Sequence, residues 1–368
     1  MAIKPPSTHP NTASTPQALT FSAQTFAKLS PSAYLTANLT SPRGLLRPSG
    51  REHSESRPPT VHTGSLTHSH GSAVVRCGDT AVVCGIRGEI LKVEDVADWE
   101  TIRRNRDTES ETTAEQEQNT TTEEEKEWRR RKQDTSEISN LHLLIPNLSL
   151  ETGCSPSHLP GGPPSPLAQT LTQRIHTLLH KSHLLNIDDL RIWSQPPTTP
   201  TTAEREGEGE AEELEAITKP EIKAHWTLYI DILFISLSGP PFDTAWFALL
   251  AALRNVRLPN AWYDTDAQTV LCSPLPSETK ALTLYDIPVA LSWGLFHGGE
   301  GARWLLADPD GFEEGLCREV GTVVVGAGGR VVRVEKSGGG GVGRGEVGWL
   351  VGLARERREE WLGVWGGG

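Results

Sequence analysis

One short stretch near the N-terminus constrains the fold of this chain more than any other part of its sequence. Residues 47–57 have the sequence RPSGREHSESR, and residues 65–91 have the sequence SLTHSHGSAVVRCGDTAVVCGIRGEIL. Gly78-Asp79 is a Gly-first pair suited to a two-residue hairpin turn. The apolar residues on both sides of that pair indicate two strands: Val74, Val75, Val82, Val83 and Ile86. The stretch therefore predicts an arginine-rich loop that leads into an antiparallel β-hairpin.

This order of residues resembles the opening of the RNase PH family, which comprises phosphorolytic exoribonucleases and their relatives in the RNA exosome. The family pattern is an R-x-D/S-G-R-x(3)-E-x-R loop followed by G-S-A-x-V-x-x-G-x-T-x-V. Its places are filled here by Arg47, Gly50, Arg51, Glu55, Arg57, Gly71, Ser72, Ala73, Gly78 and Thr80. The resemblance implies the RNase PH fold, an arrangement like domain 2 of ribosomal protein S5.

The rest of the chain contains both helix and strand patterns, which favours an α+β domain independently of the resemblance. Strands are expected at residues 141–150, 225–239, 281–296 and 303–308, and a hairpin at 322–336 around Ala327-Gly328-Gly329. Ser165 and Pro166 predict the start of a helix over 166–181. Further helices are expected at residues 242–255, 312–320 and about 346–364.

Two acidic segments account for the charge of the chain. The net charge is −12, yet residues 107–127 carry −8 and residues 204–215 carry −6, which leaves +2 for the remainder. We expect disordered inserts at residues 104–136 and 195–218, because these segments lack the apolar periodicity needed to offset the entropy of ordering. The domain organisation expected is a disordered tail over 1–29 and an RNase PH-like domain over 30–368 that carries both inserts.

The five cysteines are odd in number and contain no C-x-x-C pair, which argues against a disulfide framework or a structural zinc site. No apolar run approaches the roughly 20 residues that span a bilayer, and the first residues lack the apolar core of a secretory signal. We expect a soluble intracellular protein that does not engage a membrane.

The place of a phosphate site is poorly equipped to hold an anion. Active members of the family have a Gly-Ser/Thr-Arg turn at the start of the central helix, whose N–H groups and Arg bind the attacking phosphate. The corresponding sequence here is SGPPFDTAWFALL. Pro240 and Pro241 remove two N–H donors, and we expect Asp243 to place a negative charge where phosphate would sit.

A catalytic carboxylate pair is also missing from the pattern. Active relatives have a closely spaced Asp pair before the next long strand, in which one carboxylate serves as general acid and the other supports a metal ion. Asp264 and Asp266 are misplaced relative to that pattern, and Asp286 stands alone. We therefore predict no catalytic residues, no metal ligands and no cofactor.

The segment GCSPSHLPGGPPSPLAQTL at 153–171 resembles the non-catalytic ring subunits of the exosome. Active relatives carry phosphate-holding Arg residues in this region, whereas residues 152–164 contain no Arg or Lys. The full combination resembles the ribosomal-RNA-processing-protein-43 type of subunit. The neighbouring 42 and 45 types share the N-terminal motif and the GPPS segment, so the type remains open between these three.

This resemblance implies a structural subunit of the exosome core ring that supports 3′–5′ RNA processing and degradation, including rRNA maturation and mRNA turnover. Its partners would be other RNase PH-like ring subunits, foremost a protein-46-type heterodimer partner, together with S1/KH-type cap subunits and RNA threaded through the ring. The expected location is the nucleus and nucleolus, and also the cytoplasm. Four residues are candidate RNA contacts: Arg47, Arg51, Arg57 and Arg87.

Two other functions compete with this interpretation. The first is an active phosphate-dependent 3′–5′ exoribonuclease of the RNase PH type, against which the Arg-free segment 152–164 and the SGPPFD turn argue. The second is a solitary RNA-binding module. A protein that binds RNA alone usually has a strong basic excess, which the near-neutral remainder of this chain lacks.

Overall fold

The computed structural model describes residues 21–41, 46–104, 108, 123–155, 158–159, 162–194 and 221–366. The chain divides into two units, residues 1–52 with 298–302 and residues 53–297 with 303–368. In the smaller unit, helix α1 spans Ala23–Leu29 and helix α2 spans Pro31–Leu39. The Ser22 hydroxyl caps α1 by accepting a hydrogen bond from the Thr25 N–H at 3.2 Å. The expectation of a disordered tail over 1–29 is therefore wrong for residues 22–29, and residues 1–20 lie outside the described part.

The first sheet of the larger unit has the strand order β1-β2-β3-β6-β4, and β5 pairs with β6 outside this path. The strands are β1 Pro59–Thr63, β2 Gly71–Cys77, β3 Thr80–Lys92, β4 Leu144–Leu150, β5 Arg191–Trp193 and β6 Ile222–Ser236. The predicted hairpin is confirmed, since Cys77 pairs with Thr80 across a turn in which Gly78 has a φ of +58°. Strand β4 runs parallel to β6, whereas the other pairs are antiparallel.

The second sheet has the order β12-β11-β13-β14. Its strands are β11 Val289–His297, β12 Arg303–Ala307, β13 Glu319–Val325 and β14 Val331–Gly338. Two small antiparallel pairs precede it in the chain, built from β7 Arg257–Pro259 with β10 Thr279–Ala281 and from β8 Ala261–Asp264 with β9 Thr269–Cys272. The predicted hairpin around Ala327-Gly328-Gly329 is confirmed as the turn between β13 and β14.

The larger unit also contains five helices among its described residues, in addition to a helical segment over 99–104. They are α3 Glu123–Asn140, α4 Pro166–Lys181, α5 Pro241–Asn255, α6 Gly311–Glu314 and α7 Arg344–Gly366. The predicted bounds of α4 are confirmed, and the Ser165 side chain caps it by accepting from the Ala168 N–H. The segment 312–320 is helical over a shorter span than expected, because Glu319 and Val320 already belong to β13.

Helix α5 is the centre of the core. Each of its residues from Phe242 to Leu253 is buried, because the helix packs on β2 and β3 of the first sheet and on β11 of the second. Alternate residues of β6, from Trp226 to Phe234, are buried as the sequence predicts. Helix α7 covers β11 and β13, and the ring of its Trp361 lies 3.8 Å from that of Phe247 on α5.

The insert expected over 104–136 is not disordered throughout, because residues 123–136 belong to α3. The sequence of this helix is mostly polar because one of its faces is exposed. On the opposite face, four residues are buried: Asp134, Thr135, Glu137 and Ile138. The Asp134 carboxylate accepts a hydrogen bond from Tyr285 at 3.1 Å. Residues 105–107, 109–122 and the whole second insert, 195–218, lie outside the described residues.

Among the described helices, none has the length and apolar character needed to cross a membrane. All five cysteines are free thiols.

Candidate functional site

A cleft of about 710 Å³ opens at the N-terminal end of α5, and we call it the α5 cleft. Its walls come from α4, from the start of α5 and from strands β11, β13 and β14. The cleft includes part of the SGPPFD turn, which corresponds in sequence to the phosphate-binding turn of active relatives. The charges around the cleft therefore decide whether it can hold an anion.

The start of α5 presents few hydrogen-bond donors. Pro240 is the N-cap residue and Pro241 is the first helical residue, so neither contributes a backbone N–H. The preceding Gly239 has a φ of +88°, and a Cβ at this position would lie 2.4 Å from the Pro309 carbonyl oxygen. The turn therefore requires a glycine, and the helix begins without the row of N–H groups that binds phosphate at other helix starts.

The Asp243 carboxylate lies in the interior rather than in the cleft. It accepts hydrogen bonds from the backbone N–H and the hydroxyl of Ser292, each at 2.7 Å, and from Arg357 at 3.0 Å. Burial raises the pKa of Asp243, and the nearby Arg357 guanidinium opposes that rise. The expectation that Asp243 places its charge where phosphate would sit is therefore wrong, because α5 turns this residue toward α7.

Two cations line the α5 cleft, and each faces a carboxylate. Arg174 of α4 donates to the Glu335 carboxylate at 2.6 Å and to the Thr322 hydroxyl at 3.0 Å. The ammonium of Lys336 lies 3.0 Å from Glu319. An anion entering the cleft would have to displace Glu335 or Glu319, so the charges present do not form a ready anion site.

Sequence reasoning missed Arg174, although its side chain lies against the start of α5 in this cleft. Its guanidinium carbon lies 4.2 Å from the centre of the Phe242 ring. The residue sits in a correctly predicted helix and Glu335 sits in a correctly predicted hairpin, but they are 161 residues apart. No local sequence signal connects them.

Of the three aspartates considered as catalytic carboxylates, Asp264 and Asp286 stabilise the backbone with their side chains. The Asp264 side chain accepts from the N–H groups of Asp266 and Ala267 at 2.9 and 3.3 Å, which closes the β8–β9 turn. Asp286 is buried and accepts from the N–H groups of Ile287 at 2.6 Å and Ala327 at 2.9 Å. Within the described ranges, no group of three His, Cys, Asp or Glu side chains is arranged to hold a metal ion.

The four candidate RNA contacts separate into two buried and two accessible residues. Arg47 is 2% exposed, and Arg57 is buried against Asp308. An RNA-binding role for Arg47 and Arg57 does not fit this placement, because a buried guanidinium cannot reach a phosphate. Arg51 donates from Nε to the Ser49 hydroxyl at 3.2 Å, and the Arg87 side chain is 60% exposed. RNA contact by Arg51 and Arg87 stays a prediction.

A network of buried charged side chains holds the start of α5 in place on the side that faces the protein interior. Arg57 donates to both carboxylate oxygens of Asp308, and Arg357 lies 3.0 Å from Asp243 and 3.9 Å from Asp308. Although burial alone would raise the pKa of Asp308, the Arg357 and Arg57 guanidiniums hold that pKa well below its usual range. The network joins α5, α7, the loop before β1 and the end of β12, so it stabilises the fold.

Comparison with known proteins gives similarity to the RNase PH family along most of the chain. The family model "3′ exoribonuclease family, domain 1" (RNase PH) matches residues 55–143 and 120–259. The exosome complex component rrp43 of Schizosaccharomyces pombe is 30% identical over 321 residues, which cover 87% of this chain and 90% of the relative. The exosome complex component Rrp42 of Methanopyrus kandleri is 24% identical over 288 residues, which cover 78% of each chain.

The fold is similar to that of solved exosome subunits. A chain from the Archaeoglobus fulgidus exosome with RNA bound to the active site superimposes with a TM-score of 0.57 at 21% identity. The superposition covers 89% of this chain and 96% of the archaeal chain. The predicted α+β class with the RNase PH fold is confirmed.

Proposed function

Since the chain belongs to the RNase PH family, we propose that it is a non-catalytic structural subunit of the RNA exosome core ring, of the ribosomal-RNA-processing-protein-43 type. The observation that carries this proposal is the extent of the similarity to the fission-yeast exosome component, which includes 87% of this chain and 90% of the relative. Similarity along most of both chains favours a shared role in assembly over reuse of one module.

The geometry of the α5 cleft supports the non-catalytic part of the proposal. The prolines at the start of α5 remove two N–H donors, and Arg174 and Lys336 each face a glutamate. Asp264 and Asp286, which stood as candidates for acid chemistry, hold backbone turns instead. A phosphorolytic enzyme needs a vacant anion site beside a working carboxylate, and the pairing of Arg174 and Lys336 with glutamates among the described residues weighs against such a site.

The proposed role is to form ring interfaces and part of the wall of the RNA channel. The partners are other RNase PH-like ring subunits, with a protein-46-type subunit as the heterodimer partner, and S1/KH-type cap subunits. RNA would pass through the ring rather than be cleaved by this chain. The proposed location is the nucleus and nucleolus, and also the cytoplasm, where RNA maturation and turnover take place.

Purification of the native assembly through this chain, followed by mass spectrometry, tests the proposal. We expect distinct RNase PH-like subunits and S1/KH-type cap proteins to co-purify in equal amounts with this chain. A homohexamer of this chain would contradict the proposal and favour the phosphorolytic enzyme. A monomer bound to RNA would favour the solitary RNA-binding module.

A further inference from the structure

Two histidines on α4 bring their ring nitrogens together. His176 and His180 are four residues apart on the helix, a spacing that places side chains on the same face. Their Nε2 atoms lie 3.1 Å apart and their ring centres 4.3 Å apart. The two imidazoles therefore direct equivalent nitrogens toward one small volume.

This spacing suits a shared metal ion. Zinc binds imidazole nitrogens at about 2.0–2.1 Å in tetrahedral geometry, which places two such nitrogens roughly 3.3 Å apart. A direct hydrogen bond between the two imidazoles gives a similar distance, with one ring as donor and the other as acceptor. The two states differ in whether a metal ion or a proton occupies the space between the nitrogens.

The donor atoms select the class of metal ion. Both side chains are half-buried, and the Nε2 atoms that face each other both belong to imidazoles. Imidazole nitrogen suits zinc, nickel and copper, whereas magnesium and calcium prefer oxygen ligands.

We propose that His176 and His180 chelate a divalent transition-metal ion that prefers imidazole, such as zinc, nickel or copper. Water completes the coordination. The bound ion bridges two successive turns of α4, and it stabilises the folded chain increasingly as its free concentration rises.

Calorimetric titration of the full chain with Zn²⁺ tests this site, using protein purified without a polyhistidine tag, alone or in its native complex. We expect one saturable site. H176Q and H180Q should each weaken Zn²⁺ binding at least tenfold, about the least that loss of a ligand's supporting partner costs. H62Q, which changes an exposed histidine on β1, serves as the matched control and should bind as the original chain does.

Absence of saturable binding, or binding by H176Q and H180Q equal to that of the original chain, would overturn the site. Electron paramagnetic resonance of the original chain with one equivalent of Cu²⁺ does not depend on the variants folding. Coupling to two imidazole nitrogens supports the proposal, and coupling to none or one contradicts it.

Discussion

Arg57 and Asp308 form a buried bidentate ion pair across 251 residues of sequence. The Nη2 atom of Arg57 lies 2.6 Å from one carboxylate oxygen of Asp308, and Nε lies 3.0 Å from the other. The backbone N–H of Arg57 donates to the same carboxylate at 2.8 Å. Arg57 belongs to the family's N-terminal motif. Because its guanidinium is buried and paired with Asp308, Arg57 is a residue of the folded core.

Loss of this pair should destabilise the fold strongly. Substitution of Arg57 by Met keeps much of the side-chain volume but leaves the Asp308 charge buried with one fewer partner, which costs about 3–5 kcal/mol. Urea unfolding followed by tryptophan fluorescence measures the loss. Arg87→Met is the matched control, because Arg87 is exposed and its change should stay within about 0.5 kcal/mol. Equal stability of the two variants would contradict the structural role of Arg57.

The chain should not degrade RNA by phosphorolysis. Purified protein incubated with single-stranded RNA, inorganic phosphate and Mg²⁺ is expected to release no nucleoside diphosphates, since the cations of the α5 cleft face glutamates. Asp286→Asn should lower the melting temperature, because the Asp286 carboxylate accepts a hydrogen bond from the Ala327 N–H. Like the original chain, this variant should release no nucleoside diphosphates. Diphosphate release that disappears in Asp264→Ala or Asp286→Ala would show that the chain is an enzyme.

The substitution Asp134→Asn should stabilise the protein at pH 7.5. Burial raises the pKa of Asp134 to about 6, above the value of about 3.9 expected in the unfolded chain. The folded state therefore binds more protons between these values, so the original chain loses stability as pH rises from about 4 to about 6. The Asp134→Asn variant has no such loss, so its gain in stability over the original chain should be larger at pH 7.5 than at pH 5.

Thermal melts at the two pH values measure this difference. Asp79→Asn, at an exposed position in the β2–β3 turn, is the control for the loss of one carboxylate from the chain. An Asp134→Asn variant that is less stable than the original chain at pH 7.5 would mean that the hydrogen bond from Tyr285 outweighs the burial of the charge.

Two glycines should respond to alanine in opposite directions. A Cβ at Gly321 of β13 would lie 2.4 Å from the Trp293 ring and 2.5 Å from the Glu335 carbonyl oxygen. Because both neighbours are fixed in the sheet, Gly321→Ala should cost roughly 1–3 kcal/mol. Gly352 of α7 has open space around its Cβ position, so Gly352→Ala should gain up to about 1 kcal/mol from helix propensity. Chemical denaturation of both variants provides the comparison, and a destabilised Gly352→Ala would indicate a close contact on that face of α7.

Local sequence signals were sufficient for the elements whose burial is periodic. The sequence of α4 begins with Ser165 and Pro166 and repeats its apolar residues at helical spacing, and the sequence of β6 alternates apolar residues from Trp226 to Phe234. Their hydrophobic faces repeat at the period of the element itself, so a window of residues contains the information.

Helix α3 was missed for the opposite reason. Its sequence is polar overall, and its stability depends on a few distant partners, such as Tyr285 for Asp134 and Arg191 for Glu137. The same reason explains why the burial of Arg57 and the pairing of Arg174 with Glu335 could not be predicted. Ion pairs between residues far apart in sequence become visible only after the chain has folded.

The pairing of Asp243 with Arg357 also limits how this sequence can evolve. Replacement of Asp243 alone would leave a buried guanidinium without its nearest carboxylate, and replacement of Pro240 or Pro241 alone would leave Arg174 and Lys336 facing their glutamates. Every single step toward a phosphate-binding turn therefore either destabilises the fold or gains no affinity for phosphate. Formation of an anion site at the start of α5 would therefore need several coordinated substitutions, because the packing of the core opposes each one taken singly.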